Sequence, residues 1–289
     1  MKRIVAILIV LVTFSCKEAK KETKEEMVVE EPAKPEIKLY AFDGGTVMAN
    51  NLNLFAQGDT YKGESKELSD AFFVIQHPKG TLLWDTGLPE MLVGSDPYTT
   101  PDGGFTISRK DSTLQQLKSI GLDSSDVDII AFSHIHFDHT GGANHFANAK
   151  WLVQQTEVDF INSDAIKGNS FYAPDSFSKL ENKQTLEGDY DVFGDGTVVI
   201  KYFPGHTAGH QTLFLDLPNE GPTMLSGDIY HFEKNREDAI VPQFNYDIPE
   251  SEASIKAFEA FVKEKNAKVY IQHDKGNFEA MPKSPKYLN

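Results

Sequence analysis

Residues 133–142 read Ser133-His134-Ile135-His136-Phe137-Asp138-His139-Thr140-Gly141-Gly142. This stretch decides the fold. It follows a largely apolar run, Val127–Phe132, with the length and β-branched content of a buried strand. In an extended chain, residues i and i+2 point the same way, so His134 and His136 can reach one metal ion from the strand's end. As the chain turns towards the glycine pair, Asp138 and His139 project to a different point. Two imidazoles at one point, and an imidazole plus a carboxylate at another, make a template for two metal ions. Three of the nine histidines fall within these six positions, a density that argues against an ordinary polar loop.

Other pieces follow in order along the chain. Leu83-Trp84-Asp85-Thr86-Gly87 lies upstream. Pro204-Gly205-His206-Thr207-Ala208-Gly209-His210, then Ser226-Gly227-Asp228, then Gln272-His273-Asp274 lie downstream. Taken together, HxHxDH-Gly-Gly and these four pieces resemble the metallo-β-lactamase-fold superfamily of dinuclear hydrolases, over residues 37–289. The resemblance implies an α/β fold, a single-domain αββα sandwich. It also implies a ligand set: His134, His136 and His206 on one metal, Asp138, His139 and His273 on the other, and Asp228 bridging both. Asp85 and His210 would orient ligands through hydrogen bonds. Imidazole and carboxylate without thiolate suit zinc, with manganese, iron or cobalt also compatible. Di-iron redox members of the family carry glutamate where His136 stands, so hydrolysis is favoured. The β-lactamases of this fold carry cysteine or serine where Asp228 stands, which favours thioester, lactone or phosphoester hydrolysis.

Within that group, Asp191–Gly196, Pro204–His210 and Gly227-Asp228-Ile229-Tyr230-His231 are most similar to the N-acyl-homoserine lactonase branch. The implied reaction is metal-assisted opening of a lactone ring, with Asp138 or Asp228 carrying the proton. That branch uses a tyrosine just after the bridging aspartate to assist the substrate carbonyl. Here Tyr230 stands two residues on and His231 stands three on. Tyr230 is the catalytic candidate, with a buried packing tyrosine as its alternative. An apolar slot for an acyl tail is expected from the segments 94–109 and 163–180, with Phe105, Phe171, Tyr172 and Phe177; His231 joins them as a pocket candidate. The alternative functions are thioesterase, phosphotriesterase or β-lactamase-like amidase on the same site, since one scaffold hosts many substrates.

Two further strings carry no chemistry. Asp85-Thr86-Gly87 matches an aspartic-protease signature, but that chemistry needs a second such carboxylate and no second copy exists. Asp189–Ile200 resembles the start of a calcium loop, yet Phe193 and Ile200 stand where ligands are needed, so a hairpin is the better reading.

The whole chain has 28 basic and 43 acidic residues, a formal charge of −15. That field repels phosphate backbones and argues against a nucleic-acid partner. Short apolar runs predict strands at 37–42, 71–77, 81–84, 127–133, 151–154, 197–203, 212–217, 223–226 and 268–272. One helix is expected after a cap at Asp111, and a longer one over residues 251–265.

The N-terminus reads as an address. Lys2 and Arg3 precede an apolar run, Ile4–Val12, too short to span a bilayer. The sole cysteine, Cys16, closes the stretch Leu11–Cys16, which resembles the lipobox of bacterial lipoproteins; ordinary cleavage and an uncleaved anchor are the alternatives. Residues 1–16 are thus expected to be a lipoprotein signal, with Cys16 lipidated. Residues 17–36, rich in Lys, Glu and Pro, would be a flexible tether. The protein would be exported and held on a bacterial membrane, with the outer membrane the expected one, through its lipid alone.

Overall fold

The computed structural model describes residues 34–289. The address segment 1–16, Cys16 and most of the charged tether lie outside the described residues. Among the described residues, thirteen strands form two sheets. In chain order they are β1 (Lys38–Ala49), β2 (Lys66–His77), β3 (Gly80–Trp84), β4 (Tyr98–Thr99), β5 (Phe105–Ser108), β6 (Ile129–Ala131), β7 (Lys150–Gln154), β8 (Lys183–Leu186), β9 (Tyr190–Asp191), β10 (Val198–Tyr202), β11 (Gln211–Leu217), β12 (Gly221–Leu225) and β13 (Lys268–Tyr270). The larger sheet has the order β4-β5-β1-β2-β3-β6-β7-β8, and the smaller β13-β12-β11-β10-β9.

The central strands read as unbroken apolar runs because both of their faces are buried. In β2, Phe73 and Ile75 point into the layer between the sheets, while Phe72 and Val74 point outwards. From the smaller sheet, Leu213, Leu215 and Leu217 of β11 enter the same layer, and Phe214 faces away. The outer face of the larger sheet is covered by α1 (Thr113–Lys118) and α2 (Gln155–Ile161), through Leu117, Val158 and Phe160. The smaller sheet's outer face is covered by α4 (Ile248–Lys265), through Ile255, Phe258 and Val262. Helix, sheet, sheet, helix is the expected sandwich. Two short helices, α3 (Glu233–Glu237) and α5 (Lys275–Ala280), complete it.

Several boundaries differ from the sequence expectation. β1 and β2 each run twelve residues and pair along their whole length across a bulge at Asp43–Gly45. Only their apolar parts were legible. Ser112, not Asp111, caps α1: its hydroxyl accepts from the Gln115 N–H (3.1 Å), and the Gln115 side chain accepts from the Ser112 N–H (2.8 Å). The long helix begins at Ile248 because Asp247 accepts from the Glu250 N–H at 2.8 Å. His77, which reads as a surface residue before Pro78, is buried, stacked on Phe193 and 3.2 Å from Asp195. The 189–200 segment is the hairpin of β9 and β10, with Asp191 accepting from the N–H groups of Gly194 and Gly196.

The strand ends that carry the site are held by close backbone contact. The Gly141 N–H donates to the Gly87 carbonyl at 2.9 Å. A Cβ on Gly141 would lie 2.1 Å from the Leu88 oxygen and 2.5 Å from the Pro89 nitrogen, both backbone atoms. Gly141→Ala is therefore expected to destabilise the protein by about 2 kcal/mol, the cost typical of overpacking. A denaturant midpoint unchanged from wild type would refute this.

Candidate metal centre

The site lies where several strands end on one edge of the sandwich. β3 and β6 run parallel, with Trp84 opposite Ala131. Their C-terminal ends therefore present Asp85 and the 133–139 segment side by side. Asp85 adopts a positive φ of 59°, unusual for a non-glycine residue and typical of functional turns. Its fully buried carboxylate accepts from the Ser133 N–H (2.7 Å), Gln272 Nε2 (2.7 Å) and His139 Nδ1 (3.1 Å). The last contact fixes the His139 tautomer and turns its Nε2 into the site.

Three more histidines are held by one ring nitrogen so that the other faces inwards. His206 Nδ1 donates to Asn245 Oδ1 (2.9 Å), and His273 Nδ1 donates to the Ser69 carbonyl (2.8 Å). His134 Nδ1 lies 3.1 Å from the Ser133 hydroxyl. His134 Nε2, His136 Nδ1 and His206 Nε2 then form a triangle with edges of 2.8, 3.1 and 3.2 Å. A second group lies beside it. His139 Nε2 and His273 Nε2 are 3.3 Å apart, with Asp138 oxygens 3.8 and 3.9 Å from them.

Asp228 sits between the groups on the short turn after β12. Its Oδ1 approaches His273 (3.2 Å) and His139 (3.4 Å). Its Oδ2 approaches His231 (3.1 Å), His206 (3.4 Å) and His134 (3.8 Å). Burial opposes its ionisation, but the surrounding imidazoles outweigh that and hold its pKa well below the ordinary range. His210 is not part of either group: its Nδ1 donates to the Phe203 carbonyl and its Nε2 accepts the Asp228 N–H, both at 2.9 Å. It holds the backbone of the turn that carries Asp228. Among the described residues, His134/His136/His206 and Asp138/His139/His273 each present ligand atoms close enough to share one ion, and so do His134/His139/Asp228 and His206/Asp228/His231. The His/Asp cluster suits a dinuclear metal site.

The structure separates the other candidates. Tyr230 is fully buried against Phe258 under the smaller sheet, and its hydroxyl donates to Glu259 at 3.0 Å. The expectation that it faces a substrate carbonyl is corrected: its ring packs under α4 and does not line the cavity beside Asp228. His231 lines the cavity instead, with Phe55 and Phe244 against its ring. Phe105 and Phe171 also line it, whereas Tyr172 packs on the His136 ring. Phe177 is corrected too; it packs on Trp151 behind the larger sheet, 5.6 Å between ring centres.

Some residues at the site escaped sequence reading. Phe55 and Phe244 line the cavity but lie in no motif, and Phe137, inside the 133–142 stretch, carried no sign that it lines the cavity. Asp70, fully buried with both oxygens lacking a hydrogen-bond partner, has its pKa pushed up to about 8 by burial and by Asp138. It lies in β2 just before the apolar run 71–77, in a stretch the sequence did not read as buried strand. Beyond the metal cavity, and sharing Phe105, Phe137 and Phe171 with it, runs a largely apolar groove of about 400 Å³ past Leu92, Met91 and Tyr98.

Comparison with known proteins agrees with this geometry. The model of the metallo-beta-lactamase superfamily matches residues 68–273. An N-acyl homoserine lactonase, AttM, of Rhizobium radiobacter is 31% identical over 264 residues, 87% of this chain and 98% of its own. The N-acyl homoserine lactonase AiiA of Bacillus thuringiensis subsp. kurstaki is 28% identical over 256 residues, 87% of this chain and 98% of its own. A solved N-acyl homoserine lactone hydrolase, with the product N-hexanoyl-L-homoserine at its catalytic metal centre, superposes with a TM-score of 0.76 at 28% identity, covering 87% of this chain and 98% of that one. The family match begins inside β2 and ends on the last histidine of the site, and the chain belongs to the metallo-beta-lactamase superfamily.

Proposed function

We propose that this protein hydrolyses the ring of N-acyl-homoserine lactones at a site holding two divalent metal ions, with zinc the expected metal. The observation that carries the reading is Asp228, with one oxygen turned to each group of histidines. His134, His136 and His206 would hold one ion, Asp138, His139 and His273 the other, and Asp228 would touch both. The residues fit such ions. Ring nitrogens whose lone pairs converge at 2.8–3.2 Å repel one another, and Asp228 Oδ1 is buried with no hydrogen-bond donor. A cation relieves both. When bound, such a pair lowers the pKa of water towards neutrality and polarises an ester carbonyl.

The protein's own groups do the rest. Opening the ring adds a water oxygen to the carbonyl carbon, breaks the ring C–O bond and needs a proton on the departing oxygen. Asp138, whose side chain keeps 17% of its exposure, can take that proton from water and deliver it. Asp228, enclosed by five imidazoles, holds geometry rather than exchanging protons. His231 is the polar side chain from that turn that reaches the substrate cavity beside Asp228. Phe105, Phe137 and Phe171 lead from the metal groups into the apolar groove, which would take an acyl tail. A neutral lactone with an apolar tail suits these walls and the acidic chain better than a charged phosphoester.

In the same proposal the enzyme is exported and anchored by lipid on Cys16. The support is the basic start, short apolar run and single cysteine of residues 2–16.

Three outcomes are expected. Asp228→Ala should lower kcat/KM for a hexanoyl or decanoyl homoserine lactone at least ~100-fold, since outer partners of metal ligands alone cost 10–100-fold. Its metal content, counted alongside, should fall below that of wild type. A wild type that turns over thioesters or phosphotriesters but opens no lactone would sink the substrate assignment. Tyr230→Phe should keep kcat within about twofold while losing about 1 kcal/mol of stability with its hydrogen bond to Glu259; a large kcat loss with unchanged stability would restore Tyr230 to catalysis. Cys16→Ser should move the protein from the detergent phase to the aqueous phase on phase separation of cell extracts, and an unchanged partition would refute lipidation.

A further inference from the structure

We propose that Glu157 is a positioning residue for the His134/His136/His206 metal position, its carboxylate clamping together the two loops that carry those histidines. The inference rests on reading these three as metal ligands.

Glu157 stands in the first turn of α2 and is 1% exposed. Its Oε1 accepts from the Ile135 N–H (3.2 Å) and from the Thr207 hydroxyl (2.9 Å). Its Oε2 accepts from the Gly209 N–H at 2.6 Å. Ile135 lies between His134 and His136, and Thr207 follows His206. Gly209 precedes His210, which holds the Asp228 backbone. One loop leaves β6 of the larger sheet; the other joins β10 to β11 of the smaller. The histidine triangle is thus assembled from two sheets, and Glu157 bonds to both loops that supply it.

Two observations set this apart from ordinary packing. First, the approach is made for the carboxylate: a Cβ on Gly209 would sit 2.3 Å from Glu157 Cβ, so only glycine lets the start of α2 come this close. Second, among the described residues no Lys, Arg or His side chain forms an ion pair with Glu157, so this buried carboxylate is costly for folding alone. Burial pushes its pKa up to about 7 against the pull of the three hydrogen bonds. What a carboxylate provides here is two acceptor oxygens with no donor, matched to three donors. Glutamine has the same size, but its amide NH₂ must face one of those donors.

The test is Zn²⁺ binding by chelator competition on the full-length protein, wild type against Glu157→Gln. Wild type should take up two ions. The variant should hold one of them about 10–100-fold more weakly and the other unchanged, as loss of a ligand-orienting partner does. In a His273→Ala background, where the other position is impaired, the loss should remain. Activity of Glu157→Gln should recover in excess Zn²⁺, whatever small loss of metal-free melting temperature its mispaired amide brings. Thr207→Val, which removes one donor and leaves the carboxylate, should show a smaller loss at the same position. Two ions held as tightly as in wild type would overturn the clamp. So would equal weakening of both ions with a lowered metal-free melting temperature, the mark of a merely structural role. A wild type that binds fewer than two ions would overturn the metal-site reading beneath it.

Discussion

The Asp85 carboxylate is the contact on which the site's geometry depends. It belongs to the larger sheet, at the end of β3. It accepts from the Ser133 backbone at the end of β6, from His139, and from Gln272, which follows β13 of the smaller sheet. One buried group therefore joins three chain segments separated by up to 187 positions, across both sheets. Gln272 also donates to the Ala71 carbonyl of β2, and the next residue, His273, donates to Ser69. The strained φ at Asp85 turns its carboxylate towards all three partners. A substitution there would disturb the His139 tautomer and the sheet-to-sheet register together.

The chemistry was legible where it was local and the architecture where it was periodic. His134, His136, Asp138 and His139 declare themselves because six consecutive positions carry four ligand-type side chains. The sheets declare themselves as apolar runs. What the sequence concealed was direction. Tyr230 and His231 are neighbours on a non-repeating turn, where no period of 2 or 3.6 says which side chain faces the site. The fold answers it: Tyr230 faces α4 and His231 faces Asp228. The resemblance to a family placed a tyrosine near the bridging aspartate, and the one-residue offset proved to be the informative part. Phe177 failed for a related reason. An aromatic residue in a long loop can fill the cavity or brace the back of the sheet, and both uses look alike in sequence.

Glu157 and Asp70 were invisible for a different reason. The sequence predicted no helix over 155–161 and gave no sign that Glu157 is anything but a solvated acidic residue. Its role comes from the loops folded against it, from residues 22 and 52 positions away. Asp70 lies inside a twelve-residue strand that is otherwise almost wholly buried. Only the crossing of β1 and the turn after β3, with Gly44 against Asp70 and Gly87, shows that it is enclosed. Long-range burial of this kind leaves no pattern in one chain.

The distribution of charge links the fold to its chemistry. Asp85, Asp228, Asp70 and Glu157 are all nearly or fully buried around one cluster of histidines, and among the described residues Arg109 is the one buried arginine. Burial drives the ring pKa values of His134 and His206 well below normal, so those rings stay neutral and cannot balance the carboxylates. His139 and His273 move the other way, because Asp228, then Asp85 for His139, and Asp138 outweigh the burial that opposes their charge. Such an interior is expensive to bury, and it is offset where donors or positive charge face each carboxylate, as at Asp85 and Glu157. Folding this domain therefore concentrates carboxylates and imidazoles at the strand ends, the donor set that suits a dinuclear metal site. The apolar groove that begins at Phe105, Phe137 and Phe171 opens from the same strand ends, so the polar cluster and an apolar surface meet at one cavity.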